Sequence, residues 1–463
     1  MPRTPKTSPA HPLAQLRKRD GLSHADYARL VARTHAELGF GSMADRREKV
    51  ARWESGRVTP ELTAQLTIAH LHGVVRADVL RLGWPHWLHL ASDATAHLHA
   101  PWSADDALSS LRALTHPHGG DHRAFLTCET TLEQLAMRWQ EQTVAPQPIP
   151  TRPGSPLDPA TVAALDARHR QIRTLYLKEG ASTTRILADS ELRLVCDLIH
   201  TAGYGPAQAR LLLSAAANAA CLSGWLAYEL GDHLRAQDSY AAALRISALG
   251  GDLELGLWAL VLLAEQQMST GHPAQGLALL APADDVCRTR VAPGSRLTAL
   301  VRVAQGTAYA LHGRPEDALR HFEDARTAHA ETSPDVHPLF TDWLTRDSLE
   351  NLIGIGLVHC GLHQPALDQL APLHAAGRTA SSLTERERAL AHVHLGRAHL
   401  ALGAVEHALR FAAQTARFLA ASPTSTVSAC LKALHGDLRA HLHVPAVQQY
   451  FHTLGDSTLL TAP

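Results

Sequence analysis

Apolar residues recur at helical spacing, i, i+3, i+4 and i+7, in several short pieces between residues 13 and 142, and almost without a break after Pro159. No stretch alternates apolar and polar residues as a half-buried strand does, and no Asn-Gly or Asp-Gly pair marks a hairpin turn. The pattern predicts an all-α protein. Residues 1–12 are punctuated by proline and small polar residues and read as a disordered arm. Between 144 and 159, VAPQPIPTRPGSPLDP carries six prolines in sixteen residues. Such a run cannot continue a helix, so it predicts a semi-rigid extended linker between two bodies.

An internal repeat organises the second body, 160–463. Helix-helix turns end at Gly231, Gly271, Gly313, Gly361 and Gly403. Seven positions before each stand Gly224, Ala264, Gly306, Gly354 and Gly396. Five positions after stand Ala236, Gly276, Ala318, Ala366 and Ala408, and nine after stand Tyr240, Leu280, Phe322, Leu370 and Ala412. Small residues let the two helices of a hairpin approach closely, and a larger one a turn later fills the groove between neighbouring hairpins.

These columns carry a resemblance. GTAYALHGRPEDALRHFEDA, from Gly306 to Ala325, resembles a tetratricopeptide repeat, and GWLAYELGDHLRAQDSYAAAL, from Gly224 to Leu244, is nearly as good a match. The spacing of 40 to 48 residues departs from the family's usual shorter unit, so longer helices or loops must absorb the difference. The resemblance covers roughly residues 185–455, with residues 185–215 as a degenerate sixth unit and Pro445 to Leu454 as a C-terminal capping helix. It implies an α-solenoid whose concave side is lined by the first helix of each hairpin. With Gly231 as register, that surface should include Asn218, Trp225 and Tyr228, and in later units Trp258, Glu265, Met268, Thr307, Asn351 and Arg397. Aromatics, amides and one charge of each sign suit a peptide or an apolar signal. The plainer reading makes Trp225 and Trp258 core between hairpins.

Residues 13–83 read differently. Ser23 and Asp26 offer a helix N-cap, and Asp45 is placed to cap a helix from Arg46 to Ser55 closed by Gly56. Val50 and Trp53, three apart, face inward on it, which turns Arg46, Arg47, Lys49 and Arg52 outward. A solvated helix face is the plain account of such a charge run. The pattern V-A-R-W-E-S-G, followed by Pro60, Leu62, Leu66, Ala69 and Gly73-Val74, nevertheless resembles the Cro/cI or XRE-type helix-turn-helix domain. That resemblance implies a five-helix DNA-binding domain in which Arg47, Glu48 and Arg52 read bases. It puts Arg46, Lys49, Arg57 and His24 on the backbone, ties Arg17 to Glu54, and makes Trp53, Val50, Ala28 and Leu66 core. The chain departs from the family between Val31 and Arg46, where ARTHAELGFGSMAD is an insertion inside the motif's turn. It should lengthen the first helix of the motif and add a loop at Gly39 to Ser42.

Charge sharpens the division. Lys+Arg total 43 and Asp+Glu 44, a net of −1. Residues 1–90 hold 14 basic and 8 acidic side chains, so the cationic excess is confined to the helix-turn-helix segment and the remainder is mildly anionic. Six cysteines stand far apart without a C-x-x-C, which fits buried thiols in a reducing, cytoplasmic setting. The longest apolar run, Leu257 to Ala264, is far short of a membrane span, and the N-terminus shows no apolar leader.

Candidate chemistry is sparse. Thirty-one histidines include His118 and His122 at ligand spacing, but Gly119 and Gly120 between them discourage a helix. Cys360 beside His359 and His363 falls in a repeat turn, where a packed thiol is the default. No phosphate-binding loop, nucleophile elbow or H-E-x-x-H is present, so no enzyme activity, metal or cofactor is expected. Residues 84–143, with Trp84, Trp87, Trp102 and Trp139, read as a helical connector, or alternatively as a dimerisation surface.

The combination is similar to actinobacterial, chiefly Streptomyces, regulators with C-terminal tetratricopeptide repeats, and to peptide-responsive quorum-sensing regulators of other Gram-positive bacteria. It implies a homodimeric transcriptional regulator, more naturally a repressor, that binds a double-stranded operator and a small signal or peptide. The alternative is an interaction scaffold whose repeats hold a partner protein.

Overall fold

The computed structural model describes residues 11–72, 74, 76, 79–80, 83–85, 87–88, 102–115, 129–145, 147–154, 157–291, 294–332, 339–374 and 382–455. Nineteen α-helices and no strands are present among them, so the protein is all-α. The chain forms two compact units: residues 1–102 with 119–135, and residues 103–118 with 136–463.

Four helices of the first unit are described: α1 (Pro12–Arg19), α2 (His24–Glu37), α3 (Arg47–Glu54) and α4 (Leu62–Leu71). The fifth expected helix and most of the proline-punctuated arm fall outside the described residues. Ser23 caps α2 in a reciprocal capping box with Asp26. Asp45 does not cap α3. That helix starts one residue later than its sequence suggests, with Arg46 at the N-cap and no side-chain bond to its first amides. Leu13, Leu16, Tyr27, Val31, Val50, Trp53, Ile68 and Trp87 share one buried core, and Leu66 packs against it partly buried. The inserted segment extends α2 to Glu37 and then turns through Gly39 and Gly41, at φ +78° and +89°. His35 steadies that loop, with Nδ1 2.9 Å from the Gly41 carbonyl and its ring against Phe40.

The second unit contains α5 (Ala104–Ala113), the part of α6 (Glu129–Val144) from Ala136 onward, and α7 (Pro159–Thr201), broken at Gly180. Five helical hairpins follow: α8 (Pro206–Glu229) with α9 (His233–Gly250), α10 (Leu253–Ser269) with α11 (Pro273–Arg290), α12 (Arg296–Leu311) with α13 (Pro315–Ala330), α14 (Arg346–His359) with α15 (His363–Leu370), and α16 (Glu385–Ala401) with α17 (Val405–Ala421). The unit ends with α18 (Ser425–Arg439) and α19 (Pro445–Gly455). All five predicted turn glycines have positive φ, between +74° and +88°, just past the first helix of each hairpin, where a β-carbon is strained.

The small column seven residues earlier works within each hairpin. A methyl group on Gly224 would collide with Tyr240, one on Gly306 with Phe322, and one on Gly354 with Leu370. Each large residue therefore packs on the glycine of its own hairpin, not only between neighbours. In the last hairpin the large position is Ala412, and Leu434 of α18 lies over Gly396 instead. A separate sixth repeat is not formed: residues 185–215 span the second half of α7 and the start of α8, itself the first helix of the first hairpin.

The boundary between units also differs from the proline segment. Trp139 of α6 is fully buried, so close to Gly256 of α10 that a β-carbon there would overlap its indole. Gln140 donates to Asp285, and Arg290 donates to the Thr143 carbonyl. The proline-rich stretch itself is strapped to the end of α7: Arg152 and Tyr204 exchange backbone hydrogen bonds of 3.0 and 2.9 Å, and Leu157 N–H donates to the Gly203 carbonyl at 2.9 Å. It is extended, as proline dictates, but bound rather than free. Its side chains cannot continue a helix, yet its remaining amides still seek acceptors.

One described helix, α8, is long and apolar enough to cross a membrane by length and composition, although the longest unbroken apolar run lies in α10. Of its most apolar stretch 78% is buried in the repeat core, as expected of a central helix in a layered α fold.

Candidate functional site

The first candidate is α3. Its inward residues Val50 and Trp53 are buried at 0% and 2% exposure, and that anchors the opposite side outward. Arg46, Arg47, Glu48 and Arg52 are exposed, and Arg57 is exposed in the turn that follows. Arg47 Nε lies 3.0 Å from Glu48 Oε1, and Arg52 Nε reaches back to the Glu48 carbonyl. Lys49 is half-buried, its ammonium 5.8 Å from the centre of the Trp53 ring.

The end of α3 is held by a buried brace. Arg17 of α1 donates from Nε to Glu54 Oε1 at 2.6 Å and from Nη2 to Oε2 at 3.1 Å, while Nη1 reaches the Leu22 carbonyl at 2.6 Å. The hydrogen-bonded Glu54 carboxylate raises the pKa of Arg17 still further. His24 joins the brace, its Nε2 2.8 Å from Glu54 Oε2 and 3.3 Å from Arg17 Nη2. Among the seven residues assigned to nucleic acid by sequence, His24 is thus the one whose ring is engaged with a buried carboxylate, and its side chain is 40% exposed.

A second candidate lies inside the repeat unit. Residues of α7 (Arg173, Tyr176, Leu177), α8 (Cys221, Leu222, Trp225), α10 (Trp258, Glu265), the turn before α14 (Phe340, Trp343), α14 (Asn351, Leu352) and α16 with its cap (Thr384, Arg386, Glu387, Leu390) enclose about 1080 Å³ of empty space, part of it open to solvent. Trp258 stacks on Phe340 at 5.9 Å and meets Trp343 at 6.2 Å. The Arg386 guanidinium lies 4.8 Å from the Trp225 ring centre. Asn351 is held by His374, whose Nε2 is 2.8 Å from Asn351 Oδ1.

Four of the nine groove residues expected from sequence, Trp225, Trp258, Glu265 and Asn351, line this cavity together. The other five do not. Asn218 lies just behind the wall, where its Oδ1 accepts from Arg173. Tyr228 is buried between Trp225 and His233. Met268 packs inside its hairpin against Gly276, Thr307 bonds back to the Val303 carbonyl, and Arg397 pairs with Asp437 at 3.2 Å on the surface. The reason is rotational: a helix of several turns presents only one side of its inner face to the cavity, and register from one glycine does not say which.

Sequence reasoning missed Arg173 and Tyr176, because α7 precedes the recognisable repeats, and Phe340 and Trp343, which lie in an irregular connection. It also missed Arg386. The one signal that could have found Trp343 is its rarity, one of eight tryptophans; nothing in the spacing marks the arginines.

Burial governs the electrostatics. The Glu265 carboxyl is pushed up to about 7, chiefly by desolvation, against the pull of Arg386 and with a push from Glu229. Desolvation lowers Arg173 to about 10 and raises the Cys221 thiol to about 12, so this cysteine is no nucleophile. The five described cysteines are free. No group of three His, Cys, Asp or Glu side chains forms a metal site among the described residues, and His118 and His122 lie outside them. No protein-family model matches the chain, and comparison with curated proteins finds no relative.

Proposed function

We propose that this protein is a sequence-specific DNA-binding transcriptional regulator, acting as a homodimeric repressor, whose repeat unit binds a small signal or peptide that changes its affinity for the operator. The observation that carries the reading is the geometry of α3. Its apolar side is locked into a core and its C-terminal end is braced by Arg17 and Glu54, while Arg47 and Arg52 stay exposed on the outer side. An arginine held at a fixed angle can fork onto guanine O6 and N7, and neighbouring cations neutralise phosphates. The aromatic cavity supplies the sensing half, provided its ligand prefers one arrangement of the dimer over the other.

The test is fluorescence anisotropy on labelled duplexes from the protein's own promoter region, across a salt series. Expected is tight, salt-sensitive binding to one fragment, weakened about tenfold or more by Arg47→Ala with Arg52→Ala. Unchanged binding by that double variant, or equal affinity for every fragment, would overturn the reading.

A further inference from the structure

The cavity has two chemically different ends. At one, Arg173 donates to the neutral amide oxygen of Asn218 and forms no ion pair among the described residues; Asp166, earlier on α7, and Asp342, next to Trp343, act on it only through space. Trp258, Phe340 and Trp343 stack together near that end. At the other, Glu265 sits seven residues beyond Trp258 on α10, about 10 Å further along the helix axis. It lies in the field of Arg386 and Glu229, and its carboxyl accepts no hydrogen bond among the described residues.

We infer that the cavity takes a flat, largely apolar small molecule with a carboxylate at one end and a hydroxyl or amine at the other. The carboxylate would meet Arg173, the plate would lie among the tryptophans, and the donor would reach Glu265. A buried guanidinium whose only direct partner is a neutral amide, with Asp166 and Asp342 too far to bond it, is costly, and a ligand carboxylate bound in two parallel hydrogen bonds removes much of that cost. The raised pKa of Glu265 has the same origin, an acid desolvated without a donor, and a ligand O–H or N–H supplies one.

The form of the site favours a compact molecule over a chain. Arg386 of α16 binds Glu229 of α8, Nε to Oε2 at 2.9 Å and Nη2 to Oε1 at 2.7 Å, which ties the first hairpin to the last, whereas an open groove for an extended peptide would need them apart. This inference rests on the proposed sensing role and narrows it to one ligand class.

Isothermal titration of the full-length protein with three matched probes tests it: 6-hydroxy-2-naphthoate, 2-naphthoate and 2-naphthol. The hydroxy acid should bind most tightly, and each analogue lacking one end about tenfold more weakly. Arg173→Met should erase the preference for the two carboxylates, and Glu265→Leu the advantage of the hydroxyl. Should Arg173→Met fail to fold, the ranking on the unaltered protein decides alone. Absence of binding by all three, equal binding, or 2-naphthol binding best overturns the inference. DNA affinity with flat naphthalene titrations sinks the ligand class and leaves the regulator; the ranked probe binding without DNA affinity does the reverse.

Discussion

Arg386 and Glu229, 157 residues apart in sequence, form a bidentate ion pair in which the glutamate is fully buried. Glu229 ends α8, the first helix of the first hairpin, and Arg386 begins α16, the first helix of the last. The carboxylate also accepts from Tyr176 at 3.2 Å and from Thr426 at 3.1 Å. Next to it Ser425 donates to the Tyr228 carbonyl at 2.9 Å. The repeat array therefore closes on itself, and what would be an open groove becomes a cavity.

Breaking that closure should be expensive. Glu229→Gln or Arg386→Met leaves one buried charge without its partner, at a cost of about 3–5 kcal/mol, whereas the paired Glu229→Leu/Arg386→Met variant should recover part of it. Urea unfolding followed by tryptophan fluorescence checks this. Single variants with the parent midpoint would mean the pair contributes nothing.

The glycine column makes a packing prediction. Gly306→Ala and Gly354→Ala should each destabilise by about 1–3 kcal/mol, because the added methyl meets Phe322 or Leu370 in a filled core. Gly313→Ala should cost about 1 kcal/mol for another reason, since nothing lies within 4 Å but φ is +76°. Thermal unfolding separates the two mechanisms: Phe322→Leu should rescue Gly306→Ala and leave Gly313→Ala unimproved. A rescue of both would refute the distinction.

The brace of α3 can be tested without DNA. Glu54→Gln should loosen the end of the helix, because Arg17, buried at 8% side-chain exposure, loses its counter-charge and keeps only uncharged acceptors such as the Leu22 carbonyl and the new amide beside the His24 ring. Amide exchange at Val50 and Trp53 should quicken about tenfold or more. Exchange at the parent rate would show that the core alone holds α3.

Two opposed groups set the pH dependence. Burial depresses His169 to about 3 and His359, His392 and His435 to about 4, so below the ordinary value of 6.5 the unfolded chain takes up protons that the folded chain refuses. Stability should fall as pH drops from 6.5 toward 4, by about 1.4 kcal/mol per pH unit for each imidazole fully in play. Glu265 acts in the other direction: raised to about 7, it is protonated in the fold where the unfolded acid is ionised, so its contribution is complete below 4.5 and lost as pH rises through 7. Calorimetric Tm should therefore peak between about pH 6 and 7. Glu265→Gln should remove the fall between about pH 6.5 and 7 and steepen the rise between about 4.5 and 6.5; a profile with no acid-side fall would contradict the histidine assignment.

Much of this architecture was legible in the chain. Helical periodicity, the five turn glycines and the small column are written in the sequence, because each reflects a local demand: a 3.6-residue stripe, a left-handed backbone, a close helix contact. Ser23 with Asp26, and Arg17 with Glu54, were readable for similar reasons of spacing and resemblance. The tertiary structure alone decided that α6 from Ala136 onward and the proline stretch belong to the second unit, since Trp139 finds its pocket at Gly256 and Arg152 its partner at Tyr204, each more than fifty residues away. It alone decided that the array closes and that Trp225, Trp258, Glu265 and Asn351 share one cavity while Met268 and Arg397 do not. Curvature accumulates over many hairpins from small packing angles, and no local pattern records the sum. Periodicity tells which side of a helix is apolar, but which partner covers it, and which buried charge meets which, emerges only when distant helices come together.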